Sequence, residues 1–237
     1  MTWRRALAAI PAVVLALLVY SWVTLPDVRP LRTANPSTTA FWDLRAEQAR
    51  ERGQKPRRVQ RWVSYSRISP DLKRAVLVAE DAAFWQHEGV DFEQLQESFE
   101  VDWARGRFVR GGSTITQQLA KNLYLSPSKN PLRKARELVI ARRLEVELKK
   151  SRIFELYLSV IEWGDGIYGA EAAARTYFGL SAAELGADEA ALLAAAIINP
   201  RVLNPAKPSA RLLRRQQLIL KRMGAMLPPA ADSGGPP

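Results

Sequence analysis

The pattern of apolar and polar positions along the chain predicts a mainly α-helical protein. Over residues 72–83 apolar side chains recur at three- and four-residue intervals, after a start signal in which Ser69 caps the helix and Pro70 occupies its first turn. Partly alternating positions over residues 57–68 indicate a short strand or hairpin. Further helical patterns cover residues 37–52, 133–148, 153–163, 170–178, 188–198 and 208–226. We therefore expect a helical domain with little sheet.

The first apolar run predicts a membrane anchor. Residues 6–25 carry no charge and, at about 1.5 Å per residue, span about 30 Å, the thickness of a bilayer's hydrocarbon core. Arg4 and Arg5 precede the run, which favours a cytoplasmic N-terminus. A cleaved signal peptide is the alternative, but the run is long for one and no small-x-small site precedes Pro26. We predict an N-terminus and anchor over 1–25, a linker and first helix over 26–56, a folded domain over 57–227 and a disordered tail over 228–237.

The composition narrows the chemistry. The chain has 237 residues and a net charge of +11, which favours anionic partners such as nucleic acid, acidic lipid head groups or pyrophosphate. No recognised nucleic-acid-binding motif is present, so we expect no nucleic-acid partner. The absence of cysteine excludes thiolate chemistry, and the single histidine, His87, excludes a multi-histidine metal site. The composition does not exclude a Mg²⁺ site built from carboxylates.

Two carboxylates fall on predicted apolar helix faces. Glu80 shares its face with Val76 and, if the helix continues, with Phe84. Glu137 begins an apolar stripe, and Arg133 lies one turn before it. An inward carboxylate costs free energy unless it is paired or faces a cleft. Glu80 is therefore either a structural partner of an arginine or a functional group.

A pair of glycines precedes a third predicted helix, and cationic residues gather on that helix and at the start of the next one. Gly111 and Gly112 break the chain, Ser113 can cap the next helix, and Gln117 and Lys121 share a face of that helix. Helix N-termini attract anions. More cations lie at the following helix start: Lys129, Arg133, Lys134 and Arg136.

These stretches together resemble the peptidoglycan glycosyltransferases, membrane-anchored enzymes that polymerise lipid II. The family's motif E-D-x-x-F-x-x-H-x-G is matched at 80–89, G-G-S-T-I-T-Q-Q at 111–118 and R-K-x-x-E at 133–137. A fourth motif is approximated at 152–159, where Ser159 replaces the usual Asn. The resemblance covers residues 64–226, and the length is similar to that of the monofunctional type, which lacks a transpeptidase domain.

The resemblance implies a lysozyme-like fold and an inverting transfer of a growing glycan from undecaprenyl pyrophosphate to lipid II. Glu80 is expected to act as the general base, and Glu137 to orient cations, hold a metal or assist the leaving group. No cofactor is expected to be required, although Mg²⁺ or Mn²⁺ at the pyrophosphate stays open. Substrate-binding roles are expected for Asp81, Ser113, Thr114, Gln117, Gln118, Lys121, Lys129, Arg133, Lys134 and Arg136.

The resemblance also implies a location and partners. The domain is expected on the periplasmic side of the inner membrane, in contact with lipid II, the growing glycan strand, membrane lipids and other cell-wall synthesis proteins. Residues 92–110 carry aromatic and basic side chains. They form either an amphipathic core helix or a mobile flap at the membrane interface, and the resemblance implies the flap.

Other motifs in the chain suggest other functions. Ser126 and Lys129 match S-x-x-K, but no K-T-G follows, so we reject a transpeptidase. The G-x-G-x-x-G at 164–169 follows a helical pattern, which predicts a helix–turn–helix joint and no dinucleotide site. His87 is expected to be structural, because a turn glycine follows within two residues. A peptidoglycan-cleaving lysozyme-like enzyme and a catalytically silent assembly factor remain as alternative functions.

Overall fold

The computed structural model describes residues 23–92, 96, 112–127 and 130–225, and the α-helices of this part of the chain confirm the predicted helical class. The helices are α1 (Ala40–Glu51), α2 (Pro70–Glu80), α3 (Ile115–Tyr124), α4 (Pro131–Glu147), α5 (Lys150–Val160), α6 (Ala170–Phe178), α7 (Ala187–Ala196) and α8 (Ala210–Ala225). The strands are β1 (Val59–Gln60), β2 (Glu162–Gly164) and β3 (Ile167–Tyr168), and short 3-10 helices cover Arg29–Arg32 and Tyr65–Arg67.

Two groups of helices share one hydrophobic core. Helix α7 packs against α2 and α8, while α3 packs against α1, α4 and α5. The segment predicted as a linker and first helix also contributes to this core, through Val28, Leu31 and Trp42. The Trp42 indole N–H donates to the carbonyl of Val160 at 3.0 Å. These contacts hold α1 against the end of α5.

Helix α2 begins as predicted and ends earlier than predicted. The Ser69 hydroxyl accepts from the amide of Asp71 at 3.1 Å, and Pro70 occupies the first turn. The expectation that the helix continues to residue 83 is wrong, because Asp81 leaves the helical conformation with φ −166° and ψ 82°. Glu80 is therefore the last residue of α2, and Phe84 reaches the core from the following loop.

A three-stranded sheet packs against α6. Strand β1 pairs in parallel with β3, with Val59 opposite Ile167, and β2 pairs antiparallel with β3. The helix–turn–helix joint expected at residues 164–169 is thus wrong: the segment contains a hairpin. Gly166 turns it at φ +67°, where an added Cβ would lie 2.7 Å from the Arg57 carbonyl oxygen.

Several sequence predictions concern residues outside the described part. None of the helices among the described residues is long and apolar enough to cross a membrane. The predicted anchor lies outside the described residues except for its last three positions, 23–25. Lys129, the tail over 228–237 and most of the segment 92–110 also lie outside them.

Candidate active site

Glu80 lies at the end of α2, where it faces α3. Its Oε2 accepts a hydrogen bond from Gln118 Nε2 at 3.0 Å, and it forms no ion pair with any described residue. Burial raises the pKa of Glu80 above its ordinary value, while the Gln118 N–H and the charges of Arg215 and Lys121 act in the opposite direction. A carboxylate with a raised pKa and no cation bound to it suits a general base near neutral pH.

Asp81 ties the first motif to the second. Its carboxylate, 1% exposed, accepts from His87 Nε2 at 3.0 Å and from the backbone N–H of Ile115 at 2.8 Å. Because the Gly89 amide donates to His87 Nδ1 at 3.1 Å, the histidine proton lies on Nε2. These bonds use His87 structurally, in keeping with the sequence-based expectation. They also place Asp81, predicted to bind substrate, inside the protein.

The start of α3 is capped by Thr114. Its hydroxyl accepts from the Gln117 amide at 3.2 Å and donates to the Gly89 carbonyl at 2.7 Å. The prediction that Ser113 caps this helix is therefore wrong by one residue. The Ser113 hydroxyl instead accepts from Lys134 Nζ at 3.3 Å, which brings the second motif to α4.

The third motif forms a cluster of cations around the buried Glu137, which is 3% exposed. Arg133 Nη1 donates to Glu137 Oε2 at 2.6 Å, and Lys134 Nζ donates to Oε1. Lys134 also donates to Gln117 Oε1 at 3.0 Å, and Gln117 Nε2 reaches the Gly89 carbonyl at 3.2 Å. Both Glu137 oxygens are thus engaged by cations, which the carboxylate holds in place.

Lys121 lies close enough to Glu80 and Glu137 for the charges of both carboxylates to act on it. Burial lowers its pKa, the charges of Arg133 and Lys134 add to that lowering, and the charges of Glu137 and Glu80 oppose it. Its ammonium makes no hydrogen bond or ion pair to any residue in the described part of the chain. The site therefore contains a desolvated cation that an anionic ligand would stabilise.

One predicted cation points elsewhere. The Arg136 guanidinium donates to the Thr24 hydroxyl at 2.8 Å and to the Thr24 carbonyl at 3.0 Å, so it binds the beginning of the described chain. Arg136 precedes Glu137 on α4, so the segment at Thr24 lies close to the Glu137 cluster. Among the described residues, no three His, Asp or Glu side chains come together as metal ligands.

Sequence reasoning missed two residues of this site. Tyr157, on α5, donates its hydroxyl to Gln118 Oε1 at 3.0 Å. The positive charge of Arg215, on α8, favours the ionised form of Glu80, and the Arg215 Nε donates to the Ala195 carbonyl at 3.1 Å. Tyr157 lies within the fourth motif, which was the available signal. No local signal distinguishes Arg215 from the other α8 arginines.

Residues 47–224 match the family described as Transglycosylase. The chain belongs to the transglycosylase family. It is similar to a "Biosynthetic peptidoglycan transglycosylase" of Laribacter hongkongensis, 50% identical over 189 residues that cover 80% of this chain and 83% of the relative. A relative of the same description from Janthinobacterium sp. is 49% identical over 191 residues, 81% of this chain and 83% of its own. One from Methylobacillus flagellatus is 44% identical over 221 residues, 93% of this chain and 95% of its own.

This transglycosylase is thus a glycosyl-transferring enzyme, as the motifs predicted. The match covers the described helices from the end of α1 to α8 and includes all three motifs that meet at the site. The residues of those motifs lie at the end of α2 and after it, at the start of α3 and before it, and on α4, segments that are distant in sequence and adjacent in the fold.

Proposed function

We propose that the protein is a peptidoglycan glycosyltransferase that polymerises lipid II into β-1,4-linked strands and releases undecaprenyl pyrophosphate. The observation that carries the proposal is that the site contains two carboxylates with different partners. Among the described residues, Glu80 has an amide donor and no cation bound to it, while Glu137 holds two cations. The relatives named biosynthetic peptidoglycan transglycosylases support the substrate class.

Glu80 is proposed as the general base. It takes the proton from the 4-hydroxyl of the acceptor GlcNAc as that oxygen attacks the anomeric carbon of the donor sugar. The new C–O bond forms as the bond to the pyrophosphate oxygen breaks, and the electron pair leaves with the pyrophosphate. A single displacement inverts the α-linked donor to a β-linked product, so no covalent enzyme intermediate is needed. The raised pKa of Glu80 matches the task.

Lys121, Arg133 and Lys134 are proposed to receive the pyrophosphate. The leaving group carries its own negative charge, so stabilisation by fixed cations matters more than protonation. Arg133 and Lys134 are held by Glu137, and Lys121 has its ammonium unengaged by the described residues. We therefore propose that Glu137 organises the leaving-group site and does not itself transfer a proton.

The same proposal places the domain at the outer face of the inner membrane. The predicted anchor ends near residue 25, and Thr24 is bonded to Arg136 on α4, one residue before Glu137. A chain that leaves the bilayer at this point keeps the pyrophosphate cations close to the membrane surface, where a lipid-linked substrate presents its pyrophosphate. Membrane lipids and other cell-wall synthesis proteins are the proposed partners.

The test is polymerisation of labelled lipid II by the full chain in detergent. We expect a ladder of glycan products, and Glu80→Gln should lower the rate by about 10²–10⁴, the usual contribution of a general base. Glu171→Gln is the matched control, because Glu171 is also buried but lies outside the site. Its carboxylate accepts from Arg175 on α6 and from the backbone N–H of Ala182 in the loop after α6. No polymer from the native chain would contradict the proposal. Soluble fragments released from peptidoglycan would favour the cleaving enzyme instead.

A further inference from the structure

Tyr157 is a buried tyrosine whose hydroxyl ends beside the proposed base. The side chain has 0% exposure on α5, and its hydroxyl lies 3.0 Å from Gln118 Oε1. Burial raises the pKa of Tyr157 well above its usual range, and the charges of Glu80 and Asp81 add to this effect. The phenol therefore keeps its proton at any pH at which the enzyme works, and it can donate to Gln118.

The Tyr157 hydroxyl and the Ser113 carbonyl, which can only accept, together set which way the Gln118 amide faces. An amide has an acceptor oxygen on one side and a donor nitrogen on the other. With Oε1 engaged by Tyr157, Nε2 faces Glu80 at 3.0 Å and also lies 3.4 Å from the Ser113 carbonyl. The reverse orientation would direct the amide oxygen at the Glu80 carboxylate, which favours the protonated acid and not the base.

We propose that Tyr157 is a positioning residue for Glu80, and that it acts through Gln118 by holding the amide in the orientation that donates to the ionised carboxylate. This inference rests on the proposed function of Glu80. It assigns the Gln118 side chain to the support of the base, because its acceptor and both of its N–H groups are already engaged within the protein.

The other groups around Glu80 make this donor important. Burial disfavours the ionised form most, and the charge of Asp81 adds to that effect. Arg215 from α8 and Lys121 from α3 favour ionisation through their charges, but neither makes a hydrogen bond to Glu80. Gln118 is therefore the hydrogen-bond donor to the carboxylate among the described residues, and it is the group that Tyr157 orients.

The experiment compares Tyr157→Phe with the native full chain in detergent, by the pH dependence of lipid II polymerisation. Loss of one hydrogen bond to the amide should lower kcat by about three- to tenfold at neutral pH with KM unchanged. The acidic limb of the pH–rate profile should move to higher pH, because a carboxylate without its oriented donor holds its proton more tightly.

Tyr177→Phe is the matched control. It also removes a tyrosine hydrogen bond, from the Tyr177 hydroxyl to the Trp163 carbonyl at 3.2 Å, but it leaves Gln118 untouched. The control should keep the native acidic limb. If Tyr157→Phe does not fold, Gln118→Met removes the donor at similar volume and should move the limb in the same direction.

A folded Tyr157→Phe with the native acidic limb would overturn the inference, as would a Gln118→Met with that limb. Glu80→Gln separates this failure from failure of the proposed function. If Glu80→Gln is inactive and the limb of Tyr157→Phe does not move, only the positioning role is wrong. If Glu80→Gln keeps native activity, the assignment of Glu80 as base is wrong and the inference fails with it.

Discussion

At the scale of single residues, the two carboxylates of the site have opposite surroundings. Among the described residues, Glu80 accepts one hydrogen bond, from the Gln118 amide, whereas Glu137 is bound by Arg133 and Lys134. Both oxygens of Glu137 are occupied by cations, whereas burial raises the pKa of Glu80, whose carboxylate has no cation bound to it among the described residues. This contrast separates the proposed base from the proposed organiser of the leaving-group site.

Glu80→Gln is predicted to stabilise the domain at neutral pH. Burial raises the folded-state pKa of Glu80 above its ordinary value of 4.5, so the folded chain holds this proton more tightly than the unfolded chain. Stability from this group is full below the ordinary pKa and is lost as pH rises through the folded-state pKa. The variant should melt above the native chain at pH 7 and lose that advantage below about pH 4.5. Thermal melts from pH 4 to 8 test this, and a lower melting temperature at pH 7 would indicate a structural carboxylate.

Ser159→Ala is predicted to stabilise the chain as well. Ser159 stands where the family usually has Asn. Its hydroxyl is buried and has no hydrogen-bond partner in the described part of the chain. Removal of an unsatisfied buried hydroxyl should raise the free energy of unfolding by about 1 kcal/mol. Ser69→Ala is the opposing control: its hydroxyl donates to the Leu185 carbonyl at 2.6 Å and caps α2, so its loss should cost about 1 kcal/mol. Denaturant titrations that show equal losses for both variants would contradict the prediction.

At the scale of elements, the site depends on how α2 meets α3. Asp81 immediately follows α2, and its carboxylate accepts the N–H of Ile115, the first residue of α3. A negative charge at a helix N-terminus is favourable both as a hydrogen-bond acceptor and through the helix dipole. The joint holds Glu80 and Gln118 in register across two helices.

Asp81→Asn is predicted to destabilise this joint. An amide carries no charge and replaces one carboxylate oxygen by an NH2 group. If its oxygen stays on the Ile115 N–H, this NH2 group takes the place of Oδ1 and faces the His87 Nε2–H, which is also a donor. The free energy of unfolding should fall by about 1–3 kcal/mol, because a buried donor loses its partner. Asp71→Asn, in the first turn of α2, is the control and should cost less than about 1 kcal/mol through the helix dipole alone. Equal effects in denaturant titrations would mean that Asp81 does not hold the joint.

At the scale of the whole molecule, both the net charge and the position of the N-terminal segment favour contact with a membrane surface. The chain carries a net +11, and the described chain begins next to α4, through the bonds of Arg136 to Thr24. Positive charge near the predicted anchor favours an anionic membrane surface.

A chain without residues 1–22 is predicted to keep a weak affinity for anionic vesicles. The cut leaves Thr24 and its bonds to Arg136 in place. Binding should fall as salt rises, because exposed charges are screened beyond about 8–10 Å at physiological ionic strength. Vesicle sedimentation at low and high salt measures it, with zwitterionic vesicles as the control. Absence of binding to anionic vesicles at low salt would leave attachment to the predicted anchor alone.

Much of this protein was predictable from the sequence, because the relevant contacts are local. Helical periodicity and the start signal at Ser69 depend on neighbours within one or two turns, and the structure confirms both. The cluster of Arg133 and Lys134 around Glu137 was predictable for the same reason, since residues three and four apart share a helix face. The motifs also identified the family, because they keep their residue types and order along the chain.

Only the tertiary structure decided how these pieces meet. The end of α2 at Glu80 depends on the bond of Asp81 to Ile115, 34 positions away, and the orientation of Gln118 depends on Tyr157, 39 positions away. Arg136 lies among the predicted site cations in sequence, yet it binds Thr24, 112 positions earlier. Periodicity describes which face of an element is apolar, but a hydrogen bond between two elements depends on their packing. For that reason the sequence determined the helices, the family and the candidate groups, and the packing determined which of those groups act together.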